Sequence, residues 1–361
     1  MARAYNFSAG PAVLPLEVLQ DAQKELVDYK GTGMSVMEMS HRGKDYDAIH
    51  QEAIATFKEL CGLGDDWAVC FVQGGASMQF AMIPMNFLGK GEVADYGKQG
   101  TWSNKALKEG QKVAALRGAT VNVSADCQKD IPTRMPAEWK WTEGAKYCHI
   151  CSNETIAGAE LKVFPKTTGP LFCDMSSDIL SCERDYNQFD LFYAGAQKNL
   201  GPSGMAVVAI RKSLAEKGAA DIPTMLQYRT YVDENSLFNT PPTWGIYIFG
   251  ETMKWVKKMG KENLFKLNAE KAKKIYDVID GSGFYRGTAL KEFRSNMNVT
   301  WRLPNEELEA RFIKEAAALG MSSLKGHRSV GGVRASIYNA FPMAGVDALV
   351  AFMKDFEKRN G

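Results

Sequence analysis

The sequence is short of the features that would place it in several broad classes. No apolar run approaches the ~20 residues that a membrane-crossing helix needs. The amino-terminal "MARAYNFSAGPAVLP" has no apolar stretch of the secretory kind. Neither sign of charge dominates: 44 Lys and Arg against 42 Asp and Glu give a formal net charge of +2. A nucleic-acid-binding surface is therefore not expected. Cysteine is sparse and odd in number, 7 in 361 residues, which argues against a disulfide framework and points to reduced thiols in a cytoplasmic protein. The "CHIC" run from Cys148 to Cys151 has no second Cys/His pair at zinc spacing. It reads as a buried strand with small thiols, and no metal is expected. GxxxxGK[ST] is absent and no GxGxxG follows a strand-like run, which argues against the standard ATP and NAD loops. Repeats and low-complexity tracts are also missing.

What is present is ordinary in composition and ordered in pattern. Hydrophobic residues make up 45% and charged residues 24%, as in a globular protein. The length suits one large and one smaller domain. Short apolar runs read as strands: "AVCFV", "EVADYG", "KVAALR", "KYCHIC", "PLFCDMS", "DLFYAG" and "MAVVAIR". Helical segments such as "ASMQFAMIPMNFLG" and "WSNKALKEG" separate several of them. This alternation predicts an α/β fold with a largely parallel sheet. After about Gly260 the pattern shifts to long helices, "NLFKLNAEKAKKIYDVID", "NEELEARFIKEAAALG" and "GVDALVAFMKDFEKRNG", with only a few strands such as "MNVTWRL" and "VRASIYN". The domain boundary is placed there.

Several stretches carry candidate chemistry, and each has a plainer reading. In "VQGGASMQF" a strand runs through two glycines into a helix, an arrangement whose free N–H groups hold an anion, with Ser77 adding a hydroxyl. It is equally a tight turn with Ser77 as a cap. Asp174 ends an apolar run, where an open α/β sheet presents ligand groups and a carboxylate can hold a protonated ring nitrogen; alone, it reads as a helix cap. Lys198 in "YAGAQKNLGPSG" lies among small residues that admit a planar ring, and a desolvated lysine makes Schiff bases; alone, a lysine points at water. His41-Arg42, His327-Arg328 and Arg334 lie in Gly/Ser-rich stretches, and arginine forks bind carboxylate and phosphate. Singly they are surface charge. Together, a phosphate cradle, a strand-end carboxylate and a lysine near the end of the next strand are what pyridoxal 5'-phosphate requires.

The segments "NFSAGPAVLP", "SVMEMSHRGKDY", "GGASMQF", "ADYGKQGTWS", "SNETIAG", "YAGAQKNLGPSG", "FNTPPT" and "LKGHRSVGGVRASIYNA" cover nearly the whole chain. In them the sequence resembles the phosphoserine aminotransferases, class-V aminotransferases among the fold-type I pyridoxal-phosphate enzymes. The resemblance implies a mainly parallel seven-stranded sheet in a large domain, residues 16–260. Residues 1–15 and 261–361 would form a smaller α/β domain. It implies transamination between L-glutamate and 3-phosphohydroxypyruvate in serine biosynthesis, and it leaves open a second phosphorylated substrate, 4-phosphohydroxythreonine, in pyridoxine biosynthesis.

The resemblance also implies roles for residues. Lys198 binds the cofactor's aldehyde and moves the proton, Asp174 pairs with the ring nitrogen, and Trp102 stacks on the ring. Ala76 and Ser77 hold the phosphate, and Thr155 and Gln197 contact the ring hydroxyl side or the phosphate. It implies a homodimer with shared active sites, in which Asn239 and Thr240 reach the partner's cofactor phosphate. Arg334 takes the substrate α-carboxylate, while His41, Arg42, His327 and Arg328 face the distal anion. Two other readings stand beside this one. The first is a transaminase of the alanine–glyoxylate type, against which the three arginine-bearing loops argue, since glyoxylate needs one anion site. The second is a cofactor-binding protein without catalysis.

Overall fold

The computed structural model describes residues 3–361, so the first two positions of the 1–15 segment lie outside the described residues. Seven strands form the central sheet: β1 (Trp67–Gln73), β2 (Val93–Lys98), β3 (Thr120–Asp126), β4 (Cys148–Cys151), β5 (Leu171–Asp174), β6 (Leu191–Gly195) and β7 (Met205–Arg211). Their order is β1-β7-β6-β5-β4-β2-β3. β7 is antiparallel to both its neighbours, and the other pairings are parallel. β4, β5 and β6 are buried at every position, as expected of parallel strands covered on both faces. Polar side chains inside the sheet meet one another. His149 Nε2 lies 2.9 Å from the Tyr193 hydroxyl, and the Tyr96 and Tyr147 hydroxyls are 2.7 Å apart. Burial pulls His149 down to about 3, so this imidazole is a neutral structural group.

One strand lies elsewhere than the pattern predicts. "KVAALR" is the end of a helix, and β3 follows it at 120–126. Val113 and Ala114 are buried in helical spacing with Ala106, Leu107 and Gly110, and Gly118, at φ +67°, ends the helix. Alanine and leucine favour helix, and here they continue a buried face that had already begun. Helices α1 (Lys44–Cys61), α2 (Gly75–Phe87), α3 (Thr101–Arg117) and α4 (Thr243–Met259) accompany the sheet. No helix of the described residues is long and apolar enough to cross a membrane.

Gly260, at φ +77°, separates α4 from α5 (Lys261–Asp280). Beyond it, β8 (Asn298–Arg302) pairs antiparallel with the short strand Arg286–Gly287 and with β9 (Val333–Ser336). α6 (Glu306–Ala318) and α7 (Met343–Asn360) join α5 around a core of Trp301, Phe312, Phe352 and Phe356. Asn305 starts α6 as sequence rules suggest: its side chain accepts from Leu308 N at 2.9 Å, and Glu306, Glu307 and Glu309 occupy the first turn. Phe7 belongs to the same core, and Tyr5–Asn6 pairs parallel with Met321–Ser322. The amino-terminal segment is thereby tied to the carboxy-terminal part before it crosses to the sheet edge.

A buried lysine organises the carboxy-terminal segment that meets the sheet region. Lys271 on α5 has no solvent exposure, and its ammonium donates to the carbonyls of Tyr338 at 2.8 Å, Ile337 at 3.1 Å, Phe341 at 3.2 Å and Asn339 at 3.4 Å. Burial pulls Lys271 down to about 7, while the carbonyls act in the opposite sense by favouring the charged form. The gathered segment presents Asn339, whose N–H donates to Asn199 Oδ1 at 3.0 Å, beside Lys198. Replacing Lys271 with Met strands these carbonyls, and the expected loss is about 3 kcal/mol of unfolding free energy. Urea denaturation of Lys271→Met checks it: an unchanged midpoint would contradict the account.

Candidate functional site

Five strands deliver loops to one edge of the sheet. β1 ends at Gln73 and runs into Gly74 and Gly75, at φ +95° and +64°. That left-handed backbone suits only glycine without strain. It turns the chain straight into α2, whose first-turn N–H groups at Ala76 and Ser77 have no partner inside the helix. β2 leads to Trp102, β4 to Asn153 and Thr155, β5 to Asp174, and β6 to Gln197 and Lys198. Because β7 is antiparallel, it begins at this same edge, where the Gly204 carbonyl accepts from Gly74 N at 3.2 Å. The result is a cavity of about 670 Å³, the crevice that an open α/β sheet forms at its carboxyl ends. Its wall is completed by Ala9-Gly10-Pro11 of the amino-terminal crossing and by His327 and Arg334.

Lys198 is 8% exposed, and its Nζ donates to Thr155 Oγ1 at 2.8 Å and stands 5.5 Å from the Trp102 ring centroid. Asp174 is 4% exposed, and its Oδ1 accepts from Ser176 N at 2.9 Å and from Ser176 Oγ at 2.6 Å. No helix follows it, so the cap reading gives way to a closed turn. Burial pushes the Asp174 carboxyl above the usual range, opposed by the Ser176 donors and the charge of Lys198. Ser176 Oγ also accepts from Gly195 N at 3.0 Å, which locks the end of β5 to the end of β6.

On the far wall, Arg334 lies in β9 opposite Thr300, with its Nε buried and without a partner. Burial depresses its guanidinium. His327 is lowered first by burial and then by Arg334, Arg328 and Lys105, so every charge acting on it is positive. The loop carrying His327 is fixed from behind. Arg302 Nε donates to Glu309 Oε1 at 2.6 Å, Arg302 Nη1 to Val330 O at 2.9 Å, and Gly332 N to Glu309 Oε2 at 3.2 Å. Gly326 is needed because a Cβ there would lie 2.0 Å from Gly331 O.

Glu154 is the anchor that sequence reading passed over. It is fully buried and accepts from Trp102 N at 3.0 Å, Ser103 N at 2.8 Å and Ser103 Oγ at 2.7 Å. A carboxylate at a helix start satisfies orphan N–H groups and meets the positive end of the helix dipole. Gly100 makes the approach possible, since a Cβ there would lie 2.4 Å from the Glu154 carboxyl carbon. The next residue in the chain is Thr155, the partner of Lys198, so one turn sets both the indole and the lysine. Glu154→Gln removes the charge from these bonds, and cofactor affinity is expected to fall about tenfold. Quenching of Trp102 fluorescence on cofactor titration measures it; equal affinity in the variant would show that Glu154 does not position the ring.

The single chain thus brings Ala76, Ser77, Trp102, Thr155, Asp174, Gln197, Lys198, His327 and Arg334 to one cavity. It does not bring His41, Arg42, Asn239, Thr240 or Arg328 to the wall. His41 and Arg42 contact each other, Nε2 to Nε at 3.4 Å, and Asn239 Nδ2 donates to Thr240 O at 3.3 Å. Thr240 and Arg328 are exposed. Asn153, Ser176 and the Ala9-Pro11 segment line the cavity but were not singled out from the sequence; the one available signal was the small-residue run "SAGP". The unused polar groups suit pyridoxal 5'-phosphate. Trp102 Nε1 and Arg334 Nε are buried without partners, both bonds to Asp174 go to one of its oxygens, and the glycine turn exposes a helix start.

Comparison with known proteins accords with this geometry. Residues 4–349 match the family Aminotransferase class-V. A phosphoserine aminotransferase of Desulfosudis oleivorans is 52% identical over 99% of each chain. The solved phosphoserine aminotransferase of Bacillus circulans subsp. alkalophilus is 52% identical, with a TM-score of 0.94 over 99% of each chain. A phosphoserine aminotransferase of Trichomonas vaginalis, solved with pyridoxal phosphate bound, is 42% identical with a TM-score of 0.93, over 98% of this chain and 100% of that one. The chain belongs to the class-V aminotransferase family and, within it, to the pyridoxal-phosphate-dependent phosphoserine aminotransferases.

Proposed function

We propose that this phosphoserine aminotransferase moves an amino group from L-glutamate to 3-phosphohydroxypyruvate, giving 2-oxoglutarate and O-phospho-L-serine for serine synthesis in the cytoplasm, as a homodimer with shared active sites. Residues 16–260 hold the cofactor, while 1–15 and 261–361 form the substrate-side unit. The observation that carries the reading is the single cavity in which a buried lysine and a buried carboxylate face an arginine with an unpartnered nitrogen. When bound, pyridoxal 5'-phosphate supplies a carbonyl that takes the amino group and a ring that draws electrons from the reacting carbon.

The chain's residues do the rest. Lys198 Nζ would hold the cofactor's aldehyde carbon at rest; once the donor's amino group displaces it from that carbon, the freed amine would take the α-proton of the donor and, in the second half-reaction, return a proton to the α-carbon of the product amino acid. Thr155 Oγ1, 2.8 Å from that nitrogen, keeps it aimed. The Asp174 carboxylate keeps a proton on the ring nitrogen, and the Trp102 indole covers one face of the ring. Gln197 and Thr155 meet its polar edge. The N–H groups of Ala76 and Ser77 hold the phosphate, with Asn239 and Thr240 arriving from the second copy; the prolines of "FNTPPT" stiffen that arm. Arg334 takes the α-carboxylate of either substrate as a fork. His327 and Arg328, with His41 and Arg42 of the second copy, receive the distal phosphate or carboxylate. Both substrates carry two anionic ends, so one pocket serves them in turn.

The sharing of sites has a direct test. Lys198→Ala and Arg42→Ala homodimers should each be nearly inactive in forming O-phospho-L-serine. Subunits mixed one to one and reassembled should recover about a quarter of wild-type activity, because half the dimers are hybrids and each hybrid has one intact site. If Arg42 serves its own chain's lysine, mixing restores nothing. Wild-type enzyme that turned over hydroxypyruvate as well as its phosphorylated form would contradict the substrate assignment.

A further inference from the structure

Lys105 is a cation beside the cavity, over the Trp102 ring, that the roles above leave unused. It lies on α3, one turn beyond Trp102, and its Nζ stands 4.3 Å from the centroid of the indole. Together with Ser77 it lines a second hollow of about 330 Å³, and Ser77 also lines the main cavity, so the two spaces share a wall. Its charge reaches His327 along with those of Arg334 and Arg328. The acid best placed to neutralise it by helical spacing is Glu109, four residues on, but Glu109 is engaged by Lys112 at 2.6 Å. The lysine is exposed, and its nitrogen is held only by the face of Trp102.

The chemistry of the two substrates gives such a charge a purpose. The distal group of one is a phosphate, with a charge of about −1.5 to −2 near neutral pH. The distal group of the other is a carboxylate with one negative charge. Arginine forks fit both, because each offers paired oxygens. A further cation, added to forks already in place, contributes an attraction that scales with the charge it meets. We propose that Lys105 is a specificity-determining residue of the distal-anion site, whose ammonium favours the phosphate of one substrate over the carboxylate of the other. This rests on the reading of function given above.

The test uses the holoenzyme and its spectral change on reaction with each amino donor. Wild type, Lys105→Met and Lys105→Arg are titrated separately with O-phospho-L-serine and with L-glutamate. The apparent Kd for O-phospho-L-serine should weaken about tenfold in Lys105→Met and that for L-glutamate less than about threefold, as expected for loss of one unit charge near a doubly and a singly charged group. Lys105→Arg should stay close to wild type. Equal losses for both donors, a larger loss for glutamate, no loss, or a Lys105→Arg enzyme as weak as Lys105→Met would overturn the proposal while leaving the function intact. A wild-type holoenzyme that reacts with glutamate but not with O-phospho-L-serine would overturn the function itself, and the Lys105 proposal with it.

Discussion

The cavity depends on holding a buried ammonium and a buried carboxylate at one sheet edge without letting them neutralise each other. Asp174 ends β5 and Lys198 follows the adjacent parallel strand β6, yet their hydrogen bonds go elsewhere, to Ser176 and to Thr155. Had the two formed a direct pair, each would have been spent on the other, with neither left to meet a ligand. Charges left this way are costly in a low-dielectric interior. The cost is met locally, by hydroxyl and backbone donors that a short turn can place, and is recovered when a ligand of complementary charge enters.

The rest of the molecule serves that arrangement. The parallel sheet brings five strand ends together, and the antiparallel β7 adds its beginning to the same edge. The carboxy-terminal part contributes the wall that carries His327 and Arg334, and within it Lys271 gathers the carbonyls around residues 337–341, next to the bond from Asn339 N to Asn199. Glu154 sets the indole by similar means, a buried carboxyl that accepts from two backbone N–H groups and the Ser103 hydroxyl. In each case a buried polar side chain organises a backbone segment that lies beside the cavity.

Much of the site was legible in the sequence because its residues occupy positions with few alternatives. A strand running into "GG" and then a helix leaves N–H groups free, and the structure has that turn with both glycines at positive φ. Asp174 and Lys198 could be placed at strand ends because the strands before them read as unbroken apolar runs. The strand pattern failed at "KVAALR", where an apolar run that looks like a strand is the continuation of a helical face begun at Ala106. Glu154 was not legible, since its contacts are with a helix start about 50 residues earlier, and Ser176 was not, since a serine two positions after an acid in a turn has no distinctive spacing signature. His41, Arg42, Asn239 and Thr240 were assigned by resemblance, and nothing local to one chain brings them to its cavity.

The central claim is that the nitrogen of Lys198 is the one joined to the cofactor. Borohydride reduction of the cofactor-loaded protein followed by peptide mass spectrometry measures this directly. The account predicts a pyridoxyl-phosphate mass increment on the peptide bearing Lys198. A fully reduced holoprotein with the increment on another lysine, or with none, would contradict it.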